Sequence, residues 1–167
     1  MSVVIGNIIS LLASVLMTYS GYIKSKGKFL IVQIVQMSLS ALSNFVLGGT
    51  TGTIINLINI IRNILCYKNK LNRGSIVIIL TLSISLSLYF NNLSFIGLLP
   101  LISTILYTTL MNVKDIKKFK YLTITTMLLW FIYDLCIMNY VSSLFDLLTI
   151  GSNIIAIYQI KKVIDKN

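Results

Sequence analysis

Residues 51–67 read TGTIINLINIIRNILCY. The run is long and apolar enough to sit in a bilayer, yet it contains Asn56, Asn59, Arg62 and Asn63. Lipid offers no partner for three amides and a guanidinium. At 100° per residue the three asparagines fall within about 60° of one another, and Arg62 lies about 60° beyond Asn59. The stretch therefore reads as a helix with one face turned toward other polar groups.

The rest of the chain has the same character. Of 167 residues, 56% are hydrophobic and 11% charged, against about 25% charged in a soluble domain. Mean hydropathy is +0.90. The net charge of +10 could suggest a nucleic-acid partner, but 13 of the 14 basic residues sit in four short clusters. These are Lys24-Lys26-Lys28, Lys68-Lys70-Arg73, Lys114-Lys117-Lys118-Lys120 and Lys161-Lys162-Lys166; Arg62 is the exception. Clusters separated by apolar runs fit loops of a membrane protein and no nucleic acid.

Seven apolar runs predict helices over about 3–23, 29–48, 51–67, 74–90, 94–112, 121–139 and 141–160, each near the ~20 residues a crossing needs. The basic clusters follow the first, third, fifth and last runs, while the other connections carry no charge. Basic loops stay in the cytoplasm, which predicts an outside N-terminus and a cytoplasmic C-terminus. The first run has no basic stretch before it and does not read as a signal peptide. With no histidine and four acids, zinc sites and Ser/His/Asp triads are excluded. Cys66 falls near the inner end of the third run and Cys136 near the outer end of the sixth, so they cannot bridge within one chain and read as small apolar residues. The expectation is no enzyme, no catalytic residue, no metal and no cofactor.

Sliding the chain by 94 residues aligns 3–17 with 97–111, Lys24 and Lys26 with Lys118 and Lys120, and Asn59-Ile60-Ile61 with Asn153-Ile154-Ile155. This predicts one integral membrane domain: a repeat over about 3–67, a linker helix over 74–90 and a parallel second repeat over 94–160. Polar residues at helical spacing support it. Asn7-Ser10-Ser14-Thr18, Gln33-Gln36-Ser40-Ser43, Ser103-Thr104-Thr108, Thr123-Thr126-Trp130-Asp134 and Ser142-Asp146-Thr149-Asn153 each make one stripe. In the fourth run Thr81, Ser83, Ser85 and Ser87 advance by two and scatter. Such stripes serve either helix packing or a shared cavity.

Candidate residues follow. Asn59 and Asn153, with Asn56, are placed to hydrogen-bond a solute, and Trp130 to stack on it. Arg62 is either a snorkelling or helix-bridging cation or an inner gate. Asp134 and Asp146 flank the short connection near Tyr140 at similar depth; they form either a proton-exchanging pair or the walls of a wet outer vestibule. Pro100, the only proline, and Gly6 beside it in the 94-residue register are either hinges or ordinary first-turn residues.

The stretches ALSNFVLGGTTGTIINLINIIRNILCY (41–67), LLPLISTILYTTLM (98–111) and WFIYDLCIMNYVSSLFDLLTIGSNIIAIYQI (130–160) resemble the YgjV-type bacterial inner-membrane proteins across nearly the whole chain. That family is in turn similar to the SWEET and PQ-loop transporters. The resemblance implies an all-α polytopic fold of seven helices in a 3+1+3 parallel-repeat arrangement. It also implies a pocket lined by an asparagine from the third helix of each repeat, here Asn59 and Asn153. The PQ dipeptides of that group are missing, and Ser43-Asn44 precede the second helix's Leu-Gly, where the YgjV-type proteins often carry His or an aromatic. The function expected is alternating-access transport of a small polar solute such as a sugar across the bacterial inner membrane. The alternative is a non-transporting structural or accessory protein. Partners are the solute and the lipid bilayer, with a homo-oligomer left open.

Overall fold

The structure, a computed structural model, describes residues 1–20, 26–110 and 116–164. These residues are all-helical, with no strand: α1 Ser2–Ser20, α2 Lys26–Val46, α3 Thr50–Tyr67, α4 Arg73–Tyr89, α5 Leu99–Leu110, α6 Ile116–Cys136 and α7 Tyr140–Ile164. A 3₁₀ turn at Ile96–Leu98 leads into α5. The first basic loop lies largely outside the described residues, as do Lys114 and Lys166.

Three boundaries differ from the sequence reading. α6 begins at Ile116 rather than near 121, and α7 runs on to Ile164, past Lys161 and Lys162. Lysine is a good helix former, so charge ends the apolar run without ending the helix. The fifth element is not one α-helix. Pro100 has no N–H to reach the Ile96 carbonyl, which instead accepts the Leu99 N–H in a 3₁₀ bond. Pro100 thus stands in the first turn of α5, fully buried.

Consecutive helices pack in two sets, α1–α2–α3 and α5–α6–α7; α1 also lies on α7 and α3 on α5, and α4 touches α3 and α5. The α4 contact stripe is Ile79, Ser83 and Ser87, spaced by four; Thr81 and Ser85 point out.

The turns after α2 and α6 share one hydrogen-bond pattern. Gly48 N–H donates to Phe45 O and Gly49 N–H to Asn44 O; Met138 N–H donates to Leu135 O and Asn139 N–H to Asp134 O. Gly48 (φ 80°) and Met138 (φ 60°) both take the left-handed conformation these turns require. Every equivalent atom is 90 residues apart, as are the starts and ends of α2 and α6. The 94-residue register is thereby corrected to 90 in this region. Apolar matches are degenerate and hid the shift; backbone geometry is not. The new register sets Asn44 against Asp134, Asn56 against Asp146 and Asn63 against Asn153, and it separates Asn59 from Asn153.

The molecule is apolar outside and polar inside. Among the described residues, 19 buried side chains are polar or charged and 12 hydrophobic. Large apolar residues such as Ile8, Leu11, Val77, Ile78, Leu144 and Leu148 face outward. By length and mean hydropathy Ser2–Tyr19 passes the test for a membrane-crossing helix; Leu30–Val46, Arg73–Tyr89, Ile96–Leu110 and Tyr140–Ile155 are shorter apolar segments.

Candidate functional site

Two polar clusters occupy the interior. The first gathers around α3 and α5. Arg62 is buried, so it does not snorkel: one guanidinium nitrogen donates to Thr108 Oγ1 at 3.3 Å, two others reach Asn63 Oδ1 at 3.4 Å, and the group sits 5.5 Å from the Tyr107 ring centroid. It is a helix-bridging cation, and neither Asp134 nor Asp146 pairs with it. Asn63 extends the network to α2, donating to Gln33 Oε1 at 3.2 Å. One turn away Asn59 donates to Thr104 Oγ1 at 3.4 Å, while its Oδ1 is buried with no partner. Asn56 Nδ2 donates to Gly52 O, one turn back on its own helix, at 3.0 Å.

The second cluster lies at the turns. Asp134 on α6 and Asp146 on α7 are 95% and 94% buried, on helices that pack against one another. Both side chains are enclosed and do not line an open outer vestibule. Asn139 donates to Asp134 Oδ1 and to Asn44 Oδ1, each at 3.4 Å; Asp146 Oδ2 is buried with no partner. Tyr133, wholly buried, closes the cluster. A helix leaves its first N–H groups unpaired, and Gly49 at the start of α3 has no side chain to cap them. The Tyr133 hydroxyl accepts the Gly52 N–H at 2.9 Å in its place.

The remaining candidates are dispersed. Asn153 is half-buried, bonded to Thr149 O and receiving Lys120 Nζ at 3.4 Å; it shares no hydrogen-bond partner with Asn59. Trp130 meets Tyr133 edge-on, centroids 5.8 Å apart, in the small apolar cluster of Leu99, Tyr133 and Ile137. Gly6 sits inside an unbroken α1, where Leu47 packs over it and Ser43 donates to its carbonyl at 2.8 Å.

A model of the Imp-YgjV family, described as bacterial inner membrane protein, matches residues 4–163. The chain belongs to the Imp-YgjV family. No curated protein matches the chain, and no solved structure does. An inside-out distribution of polarity is what a bacterial inner-membrane location asks of an Imp-YgjV protein.

Sequence reasoning missed Asn44, Tyr133 and Asn139 in this Imp-YgjV chain. The 90-residue register would have exposed Asn44 by pairing it with Asp134. Asn139 is the residue just before α7 and a strong N-cap type; its Oδ1 does receive the Ser142 N–H at 3.4 Å. Nothing in the sequence marks Tyr133 apart from the glycines it packs against.

Proposed function

We propose that this Imp-YgjV protein is a multi-pass transporter that moves a small polar solute, such as a sugar, by SWEET-like alternating access between two three-helix repeats joined by α4. The N-terminus is outside and the C-terminus cytoplasmic, as the basic loops argue. One observation carries the reading: in an apolar chain of bacterial inner-membrane type, Asn59 Oδ1 and Asp146 Oδ2 are buried with no partner. A buried unpaired polar group costs about 1–3 kcal/mol. Thr51 Oγ1 and Ser87 Oγ are likewise buried without a partner, but an amide and a carboxylate are costlier to leave so in a membrane, and helix packing alone gives no reason to keep them.

The solute contacts fall on Asn59, with Asn56, Thr104 and Arg62 around it; these amide, hydroxyl and guanidinium groups can hydrogen-bond the hydroxyls of a polyol. Asn153 belongs to a rim position, and Trp130 supports the turn end. Pro100 gives α5 a place to change its winding, and Gly6 lets Leu47 slide over α1.

The accessory-protein reading has its own support, because Ser10, Ser43, Asn63 and Gln33 bond neighbouring helices. Two measurements separate them. Asn59→Cys, in a Cys66→Ser/Cys136→Ser background, is labelled from water if the amide faces a solute path. Counterflow in proteoliposomes with a panel of labelled sugars then compares the parent with Asn59→Ala and Asn56→Ala. Uptake lost with Asn59 at unchanged folding supports transport. An unlabelled cysteine together with no uptake establishes the accessory role.

A further inference from the structure

We infer that Asp134 and Asp146 form a proton site, holding one proton between them and exchanging it with solvent. The placement rests on geometry. Two enclosed carboxylates stand on α6 and α7, helices packed against one another, and among the described residues no cation pairs with either. Asp134 receives one amide from Asn139; Asp146 Oδ2 receives nothing. A buried carboxylate pair with a single amide donor is tenable when a proton or another cation joins it.

Among the described residues the surroundings supply no such cation. Tyr133 is a further titratable group in the cluster; its hydroxyl accepts the Gly52 N–H, and a phenol carries no positive charge in either protonation state. Arg62 of α3 is held by Thr108 and Tyr107 of α5. Lys120 of α6 reaches Asn153, 14 residues or about 20 Å along the helix from Asp134. Tyr19 of α1 is exposed, 12 residues beyond the Asn7 that meets the α6–α7 turn. Charge balance points the same way. Arg62 contributes one positive charge to the buried interior, so a single shared proton makes that interior neutral.

The 90-residue register adds an independent argument. The positions of Asp134 and Asp146 are filled by Asn44 and Asn56 in the first half. Amides satisfy the fold there. The two carboxylates are therefore a charge-bearing addition rather than a packing need, and Asp→Asn changes reproduce a side chain the architecture already accepts.

The site deepens the transport reading by giving it a coupling ion, and rests on it for that consequence alone. The test is infrared spectroscopy of the full chain in lipid nanodiscs at neutral pH. The parent shows a protonated-carboxyl stretch amounting to one group per chain. The band shifts on transfer to D₂O, is unchanged when choline replaces sodium, and is lost in Asp134→Asn/Asp146→Asn with helical circular dichroism intact. A parent without the band, a band that survives the double variant, or one that vanishes on adding sodium overturns the proposal, the last in favour of a metal cation. If the band behaves as expected and neither counterflow nor Asn59→Cys labelling gives a signal, the proton site stands and the transport reading falls.

Discussion

Gly52→Ala is the sharpest test of the packing at the turn end. Taken alone, alanine in a helix is worth about 1 kcal/mol over glycine. Here an added Cβ would lie 2.6 Å from both Cε1 and the hydroxyl of Tyr133 and 2.7 Å from Asn44 Nδ2. Tyr133 is fully buried, so it has no free space to retreat into. Overpacking costs about 1–3 kcal/mol, and moving the ring also strips Gly52 N–H of its acceptor, about 1–3 kcal/mol more. The net is a loss of about 1–5 kcal/mol. Gly151→Ala is the matched control, because nothing lies within 4 Å of its Cβ position; it should gain up to about 1 kcal/mol. Thermal unfolding in detergent, followed by circular dichroism, should therefore move in opposite directions, by about 2–4 °C per kcal/mol. If Gly52→Ala melts at or above the parent, the Tyr133–α3 contact does not exist as described.

Tyr133→Phe keeps the ring and removes the acceptor, so the same melt should fall by the equivalent of about 1–3 kcal/mol. Met138→Gly should stabilise by up to about 1–2 kcal/mol, since the residue is half-exposed and holds a left-handed conformation that disfavours a side chain; a lower melting point would refute this. Arg62→Met should change stability by less than about 1.5 kcal/mol, because a buried cation without a carboxylate gives back its desolvation cost when replaced by an apolar chain of similar length. The same variant should lose solute uptake in counterflow, and uptake at the parent rate would remove Arg62 from the site.

The helices were readable because apolar runs and basic clusters alternate along the chain, and a helix needs little more than that to be placed. α3 was located to within a residue for this reason. What the runs could not show was where helices stop, as Lys117, Lys118, Lys161 and Lys162 extend α6 and α7 without breaking them. Register failed at Asn59 and Asn153 because Ile and Leu match one another at almost any offset. The stripe on α3 was read correctly as buried, and Arg62 was placed with its own helix neighbours. Its partners Thr108 and Tyr107, like the enclosure of Asp134 and Asp146, depend on how separate helices meet, which no local pattern encodes.

Asn7 and Asn92 show how the turn end is fastened. Asn7 on α1 donates to Met138 O at 2.8 Å and accepts Val141 N–H at 3.0 Å, clasping the turn between α6 and α7. Asn92, just before the 3₁₀ turn, donates to Gly48 O at 2.8 Å and accepts Thr50 Oγ1 at 2.7 Å, clasping the turn between α2 and α3. Each three-helix set is thus buckled by a residue from outside it. Spreading this end means undoing both buckles at once, whereas the end with the basic loops shows no matching pair among the described residues. The fold is asymmetric in what it resists: parting at the turns starts with a two-sided unlocking, and neither side can slip its buckle without exposing the other's backbone.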